Sequence, residues 1–314
     1  MATACHPARD LLVRVYIAHY VAAEADPRHG SGIEAQRRFR ETAFRRCLLA
    51  LQGQRRRRRD LLLNIGARVI EAAPLVAAGE EELPALRLEI RVLTNGRDRL
   101  AQVLEDFGED LREEVLELED PRQLPLLCRD RLVADEQPAD LRLYLEDDLI
   151  LHDPLFFDKQ RWWLDLVEHR QVLMPHRYEL VRGGAAGRLL VDGPLAGKVV
   201  EGLNHPQPAV LRAVFEGREV VFDRTANPHA GLFVISEQQR RQLLERPLPR
   251  EGFVGPLETA ATYTVLHRWP VCKPALAHRR FLMVEHGHPG FLPLVESLPL
   301  RPLQAGEPLG GLQW

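Results

Sequence analysis

The stretch Leu141-Arg142-Leu143-Tyr144-Leu145 stops abruptly at Glu146-Asp147-Asp148. Large apolar residues in so short a run read as a strand buried in the middle of a sheet, and a helix-like segment with Phe156, Phe157, Trp162 and Trp163 follows it. Such a strand delivers three carboxylates to its C-terminal end. In open α/β sheets ligands bind in the crevice outside that edge. Adjacent carboxylates repel one another at neutral pH unless a cation compensates them, and a hard divalent ion that also carries nucleotide phosphates is the simplest compensator. Acids after a strand can also only solvate a turn, and Asp153 before Pro154 suits a helix cap.

The rest of the chain alternates strand and helix patterns up to this point. Leu11 to Tyr20 predicts a first strand, with His19 and Tyr20 placed to stack on a base or simply to end it; a loop rich in Asp, Pro, His and Gly follows at Asp26 to Gly32. Ser31 and Glu34 have capping-box spacing and open a long helix whose apolar stripe is Ala35, Phe39, Ala43 and Cys47, widened by Phe44, Leu48 and Leu51. That helix leads into five consecutive arginines, Arg55 to Arg59. Leu61 to Ala78 predicts a helix and Gly79 to Glu82 an acidic loop. Leu86 to Thr94 alternates as a strand and is stopped by Asn95-Gly96, so Thr94, Asn95 and Arg97 stand at a carboxyl edge where they could read a nucleotide. Helices are predicted at Arg99 to Phe107 and Gln123 to Ala134, on either side of an acidic stretch, Glu109 to Asp120. This alternation predicts a mostly parallel sheet.

The second half is less regular. A helix is predicted from Pro154 to Glu168, its aromatic residues forming a core face. Val172 to Glu179 reads as one strand whose His176, Arg177 and Glu179 could line a cleft. Gly183 to Gly197 is glycine-rich, Leu203 to Gly217 reads as loops and short strands, and Glu219 to Phe222 as a strand. Asn227 to Ile235 runs from a turn into a buried strand, and Ser236 to Gln239 caps a helix that ends near Arg246. Gly255-Pro256-Leu257-Glu258 places a carboxylate in the first turn of another helix, where the helix N-terminus stabilises it as an anion. His286-Gly287-His288 puts two imidazoles on one side of an extended segment, a pattern that suits a manganese-like ion or a surface loop.

Leu143 to Phe157 resembles the metal-binding motif of GT-A fold glycosyltransferases, whose Asp-X-Asp signature stands here as Glu-Asp-Asp, as in N-acetylglucosaminyltransferase-like enzymes. The resemblance implies an α/β, GT-A (Rossmann-like) single domain over 1–314. A nucleotide-sugar-binding half would span 8–148, an acceptor-binding half 149–292 and a tail 293–314. It implies Asp148 as ligand of a divalent metal, Mn2+ or Mg2+, with one of His286 or His288 completing the site. Glu146 and Asp147 become nucleotide contacts beside Thr94 and Asn95, and Glu258 becomes the general base of an inverting transfer. The donor would be a nucleotide sugar, UDP-sugars favoured, and the acceptor a glycan, a lipid-linked molecule or a protein.

Composition removes several other classes. A net charge of −3 gives no basic field for nucleic acid, and no aromatic residue interleaves the arginine run, which instead suits a solvated helix end or peripheral membrane contact. The four cysteines are scattered, which fits a reducing compartment. No signal-peptide pattern and no bilayer-length apolar run are present, so a cytoplasmic location is expected. The rival readings are a nucleotidyltransferase, disfavoured because the loop after the first strand carries no lysine, and a non-enzymatic membrane-peripheral binding protein.

Overall fold

In a computed structural model the chain is described for residues 10–22, 34–57, 60–73, 83–181, 187–195 and 203–300. In chain order the first half contains β1 (Leu11–Ala18), α1 (Glu34–Gln54), β2 (Leu61–Asn64), β3 (Val69–Ala72), β4 (Leu86–Thr94), α2 (Ala101–Asp106), β5 (Leu111–Val115), α3 (Leu124–Ala134) and β6 (Leu141–Glu146). There follow β7 (Leu149–Ile150), α4 (Phe156–Leu166), β8 (Val172–Leu173), β9 (His176–Leu180), β10 (Arg188–Leu190), β11 (Gln207–Phe215), β12 (Arg218–Arg224), β13 (Leu232–Ser236) and α5 (Glu237–Leu244). The helical run α6 over 256–266 joins Pro256–Glu258, a π-helical turn Thr259–Tyr263 and Thr264–Leu266; β14 (Val271–Pro274), β15 (Met283–His286) and α7 (Pro293–Ser297) complete the chain.

The central sheet has the order β13-β6-β1-β4-β5, parallel throughout except for β13. Its two faces are set by strand alternation. Leu11, Val13, Val15 and Ile17 point to one side, where Phe44, Cys47, Leu48 and Leu51 of α1 and Phe156, Phe157 and Trp163 of α4 cover them. Tyr16, Tyr144 and Phe233 lie opposite one another on β1, β6 and β13 and point to the other side, under α3 and α6. Burying each such side chain contributes ~1.5–3 kcal/mol, which is why the apolar stripes fix the helices to the sheet. The chain is therefore α/β with a mostly parallel sheet flanked by helices, as the sequence predicts. Because β13 completes the sheet, the later half of the chain supplies part of the layer that carries the site. Two four-stranded sheets, β10-β9-β15-β7 and β11-β12-β14-β8, are built from the later segments.

Several expectations need correction. Leu61 to Ala78 is no helix where it is described: β2 and β3 form an antiparallel hairpin, turned where the Asn64 carboxamide accepts the amide of Ala67 and Arg68 takes φ +56°. The apolar content of this segment has no helical period to bury, and Asn64 to Gly66 is a turn signal. Phe39 lies outside the buried stripe of α1 at 58% exposure, whereas Ala43, Phe44, Cys47, Leu48 and Leu51 are buried. The acidic stretch after Phe107 contains the edge strand β5, whose charges conceal it; Glu114 pairs with Arg91 of β4. Val172 to Glu179 is two strands in different sheets, broken at Met174-Pro175, where proline removes a donor. Residues 203–217, expected as loops and short strands, carry one nine-residue strand, β11. The Ser236 capping box forms in both directions with Gln239. Ser31 to Ile33, Arg58, Arg59, the 79–82 loop and the tail from 301 lie outside the described residues.

Candidate active site

The order β6-β1-β4-β5 means that the chain builds outward from β1 through β4 and β5, then returns to add β6 on the other side. The carboxyl edge between β1 and β6 is thus the topological switch point, where a crevice opens. Ala18 pairs with Glu146 at that edge. A cavity of about 660 Å3 lies beyond it, lined among others by Tyr20, Arg40, Arg122, Glu146, Asp147, Asp148, Glu258 and His288.

The three carboxylates resolve their mutual repulsion in three ways. Asp147 is gripped by Arg40 of α1, whose Nη2 lies 2.7 and 2.9 Å from its two oxygens, and by His19 Nδ1 at 2.6 Å. The backbone N–H of Leu100 donates to His19 Nε2 at 3.0 Å, so the imidazole proton is assigned to Nδ1 and donated to Asp147; Phe44 stacks on the ring with centroids 4.2 Å apart. Burial works against the anion of Asp147, but Arg40 and His19 outweigh it and hold the carboxyl below its usual range. Asp148 shares Arg40, whose Nη1 is 3.3 Å from Oδ2, and has His286 Nε2 at 3.5 Å. Glu146 lacks a cation of its own. Burial, reinforced by Asp148 and Glu258 against the opposing pull of Arg177 and His286, pushes it up to about 8, so it is mostly a neutral acid at pH 7. Among the described residues its Oε1 has no partner, and Gly231, at φ +64°, approaches so closely that a Cβ there would sit 2.6 Å from Oε2.

His286 is positioned from behind. Its Nδ1 donates to Glu179 Oε1 at 2.8 Å, and the same carboxylate accepts the amides of Gly290 and Phe291. Burial lowers the imidazole pKa, but the bond to Glu179 and the nearby Asp148 outweigh it and raise it above its ordinary value. Asp148 also accepts the amide of Gly287 on its backbone oxygen at 2.7 Å, which ties the His286-Gly287-His288 turn to the acidic strand end. His288 lines the cavity, its pKa lowered by burial and by Arg40.

Among the described residues no group of three or more His, Cys, Asp or Glu is arranged to hold a metal. The donor pair that is present nevertheless fits one. Two ligands ~2.1–2.2 Å from one ion stand ~3–3.5 Å apart, so the Asp148 and His286 separation suits a carboxylate and an imidazole on a common ion. The buried Glu179 behind His286 is the kind of carboxylate that orients a ligating imidazole.

Glu258 stands on the same cavity at the start of α6. The N–H of Gly255 donates to its Oε2 at 3.1 Å, which fixes the carboxylate and leaves Oε1 for other work. The π-helical turn begins one residue later, with Thr262 held by His229 Nδ1 at 2.7 Å. Thr94 and Asn95 sit elsewhere in the bonding pattern. The Thr94 hydroxyl donates to Glu113 and accepts Gly96 N–H, while Asn95 builds the turn to Asp98; neither lines the cavity. Arg177 and Lys273 both pair with the buried Asp192, next to the site rather than in it. Arg40, His19 and Glu179 were not legible as a set, because their partners lie 107, 128 and 107 residues away.

No protein-family model matches the chain, and no curated protein matches it. Among solved structures, S. aureus TarS 1–349 aligns with a TM-score of 0.39 and 10% identity over 83% of this chain and 57% of that one. The same fragment in complex with UDP gives 0.31 and 14% over 56% and 38%, and in complex with UDP-GlcNAc 0.29 and 12% over 56% and 37%. The chain thus spans little more than half the length of the first of these. TM-scores of this size leave the assignment to the side chains of the site.

Proposed function

We propose that the chain is a metal-assisted glycosyltransferase that moves a sugar from a nucleotide-sugar donor to an acceptor hydroxyl with inversion. The observation that carries this reading is that Asp148, backed by the Glu179-oriented His286 at 3.5 Å, and a separately anchored carboxylate, Glu258, line one switch-point cavity. Asp148 and His286 would hold the ion, Mn2+ or Mg2+; when bound, it neutralises charge on the departing diphosphate. Asp147 acts through Arg40, keeping that guanidinium on the cavity wall. Glu146, protonated and with an unpartnered oxygen, has a hydrogen bond to give on the nucleotide side.

Glu258 takes the proton of the acceptor hydroxyl. The acceptor oxygen forms its bond to the anomeric carbon while the bond from that carbon to the diphosphate breaks, and the electron pair leaves with the nucleotide. A base on one side of the sugar and a leaving group on the other produce inversion. Following melting temperature while titrating UDP-, GDP- and CMP-sugars with and without Mn2+ tests the reading. Stabilisation by a nucleotide sugar that requires metal supports it; indifference to every nucleotide and to metal removes it.

A further inference from the structure

The hairpin of β2 and β3 stands apart from the packed layers: from Leu61 to Ala72 every residue but Asn64 is exposed. Leu61, Leu62, Leu63, Ile65, Val69 and Ile70 are 74, 52, 60, 78, 45 and 60% exposed. Isolated surface leucines are ordinary, but six large apolar side chains in one short ribbon form a patch of the kind that marks an interaction surface. The register sorts them. Leu61 lies opposite Ala72 and Leu63 opposite Ile70, making one wholly apolar face that Ile65 extends at the tip. The other face carries Asn64 and Glu71, hydrogen-bonded at 3.1 Å, beside Leu62 and Val69.

Charge identifies the partner. Residues 55–73 hold six arginines against two acids, Asp60 and Glu71. Arg55 and Arg56 are used by the fold: they pair with Asp110 and Asp158, and so brace the base of the hairpin against the body. Arg57 at the base and Arg68 in the turn are exposed. An apolar blade edged by arginine matches an anionic lipid surface, which takes apolar side chains at the acyl boundary and guanidinium groups at the headgroups. A second copy fits less well, since a two-fold contact through the same hairpin brings like charge against like charge.

We propose that the hairpin over 61–72 is a shallow membrane-docking element for an anionic bilayer, seating Leu61, Leu63, Ile65 and Ile70 at the acyl boundary with Arg57 and Arg68 among the headgroups. Four-residue strands reach ~13 Å, which suffices for the boundary and falls far short of the ~9–11 residues of a spanning strand. The inference is independent of the transferase reading.

The test is flotation of the full chain with vesicles of phosphatidylcholine alone and of phosphatidylcholine mixed with phosphatidylglycerol. The chain is expected to float with the mixed vesicles, and Leu63→Ser combined with Ile70→Ser to weaken this at least ~10-fold without lowering the melting temperature. Ile65→Trp is expected to shift its fluorescence to the blue on mixing with the anionic vesicles. Flotation unaffected by the double substitution, no flotation at all, or a concentration-dependent dimer that the same substitutions abolish overturns the proposal.

Discussion

Replacing Gly231 by alanine tests how tightly the acidic strand end is held. The residue has φ +64°, and an added Cβ would meet Glu146 Oε2 at 2.6 Å, its Cδ at 2.9 Å and Leu149 Cδ1 at 3.0 Å. Two costs arise. A side chain in the left-handed region costs ~1–2 kcal/mol. Crowding a packed group costs a further ~1–3 kcal/mol, because Glu146 is buried and lies beside Asp148 and Glu258. Gly231→Ala should therefore destabilise by ~2–5 kcal/mol, read as a lower urea midpoint at unchanged slope. Gly217→Ala is the control: φ is +73° there but no atom lies within 4 Å of the added Cβ, so only the backbone cost of ~1–2 kcal/mol applies. The decisive measurement is the cycle with Glu146→Ala. In that background the two Glu146 contacts are gone and only Leu149 Cδ1 at 3.0 Å remains, so Gly231→Ala should cost less than in the native chain and approach the cost of Gly217→Ala, a coupling of ~1–3 kcal/mol. An equal cost of Gly231→Ala in both backgrounds would show that Glu146 does not lie where this account puts it.

Other consequences can be measured on the same protein. Asp148→Ala is expected to abolish metal-dependent turnover and calorimetric Mn2+ binding while the far-ultraviolet circular dichroism stays that of the native chain; full activity in that variant removes the metal assignment. Glu258→Gln should lower turnover ~10²–10⁴-fold with donor affinity nearly unchanged, because only proton transfer is lost; an unchanged kcat rules the residue out as base. Asp192→Asn should cost ~3–5 kcal/mol in chemical denaturation, since it strands the buried Lys273 and Arg177 that lie 2.9 Å from its oxygens; a loss below ~1 kcal/mol contradicts that reading. His176, pulled down to about 4 by burial and by Lys273, binds a proton less readily folded than unfolded, where it titrates near ~6.5. Its contribution is complete above pH ~6.5 and is lost as pH falls toward 4, by ~3 kcal/mol in all, and His176→Gln should flatten that part of the stability profile.

What could be foreseen and what could not divide along a physical line. The central strand ending in Glu146, Asp147 and Asp148 was legible, because burial on both faces demands consecutive apolar residues and the return to charge marks its edge. So was the crevice outside that carboxyl edge, once strand and helix alternated before it. Fixed local spacing also exposed the Ser236 cap and the position of Glu258, both of which depend on residues three or four apart. The edge strand β5 and the hairpin at 61–72 were missed for opposite reasons: one hides its pattern under charge and the other shows apolar residues with no core to fill. The compensation of the carboxylates lay beyond sequence reasoning altogether. Nothing local says that Arg40 on a helix surface reaches Asp147 and Asp148, or that Glu179 turns His286 toward Asp148, since those contacts exist only after the sheet is assembled. They nevertheless decide the chemistry. Three bare acids would demand a cation, whereas here one is protonated, one is held by a guanidinium and a histidine, and only Asp148 has a partially committed oxygen facing an imidazole. Of the three, Asp148 is therefore the acid on which the proposed metal assignment rests.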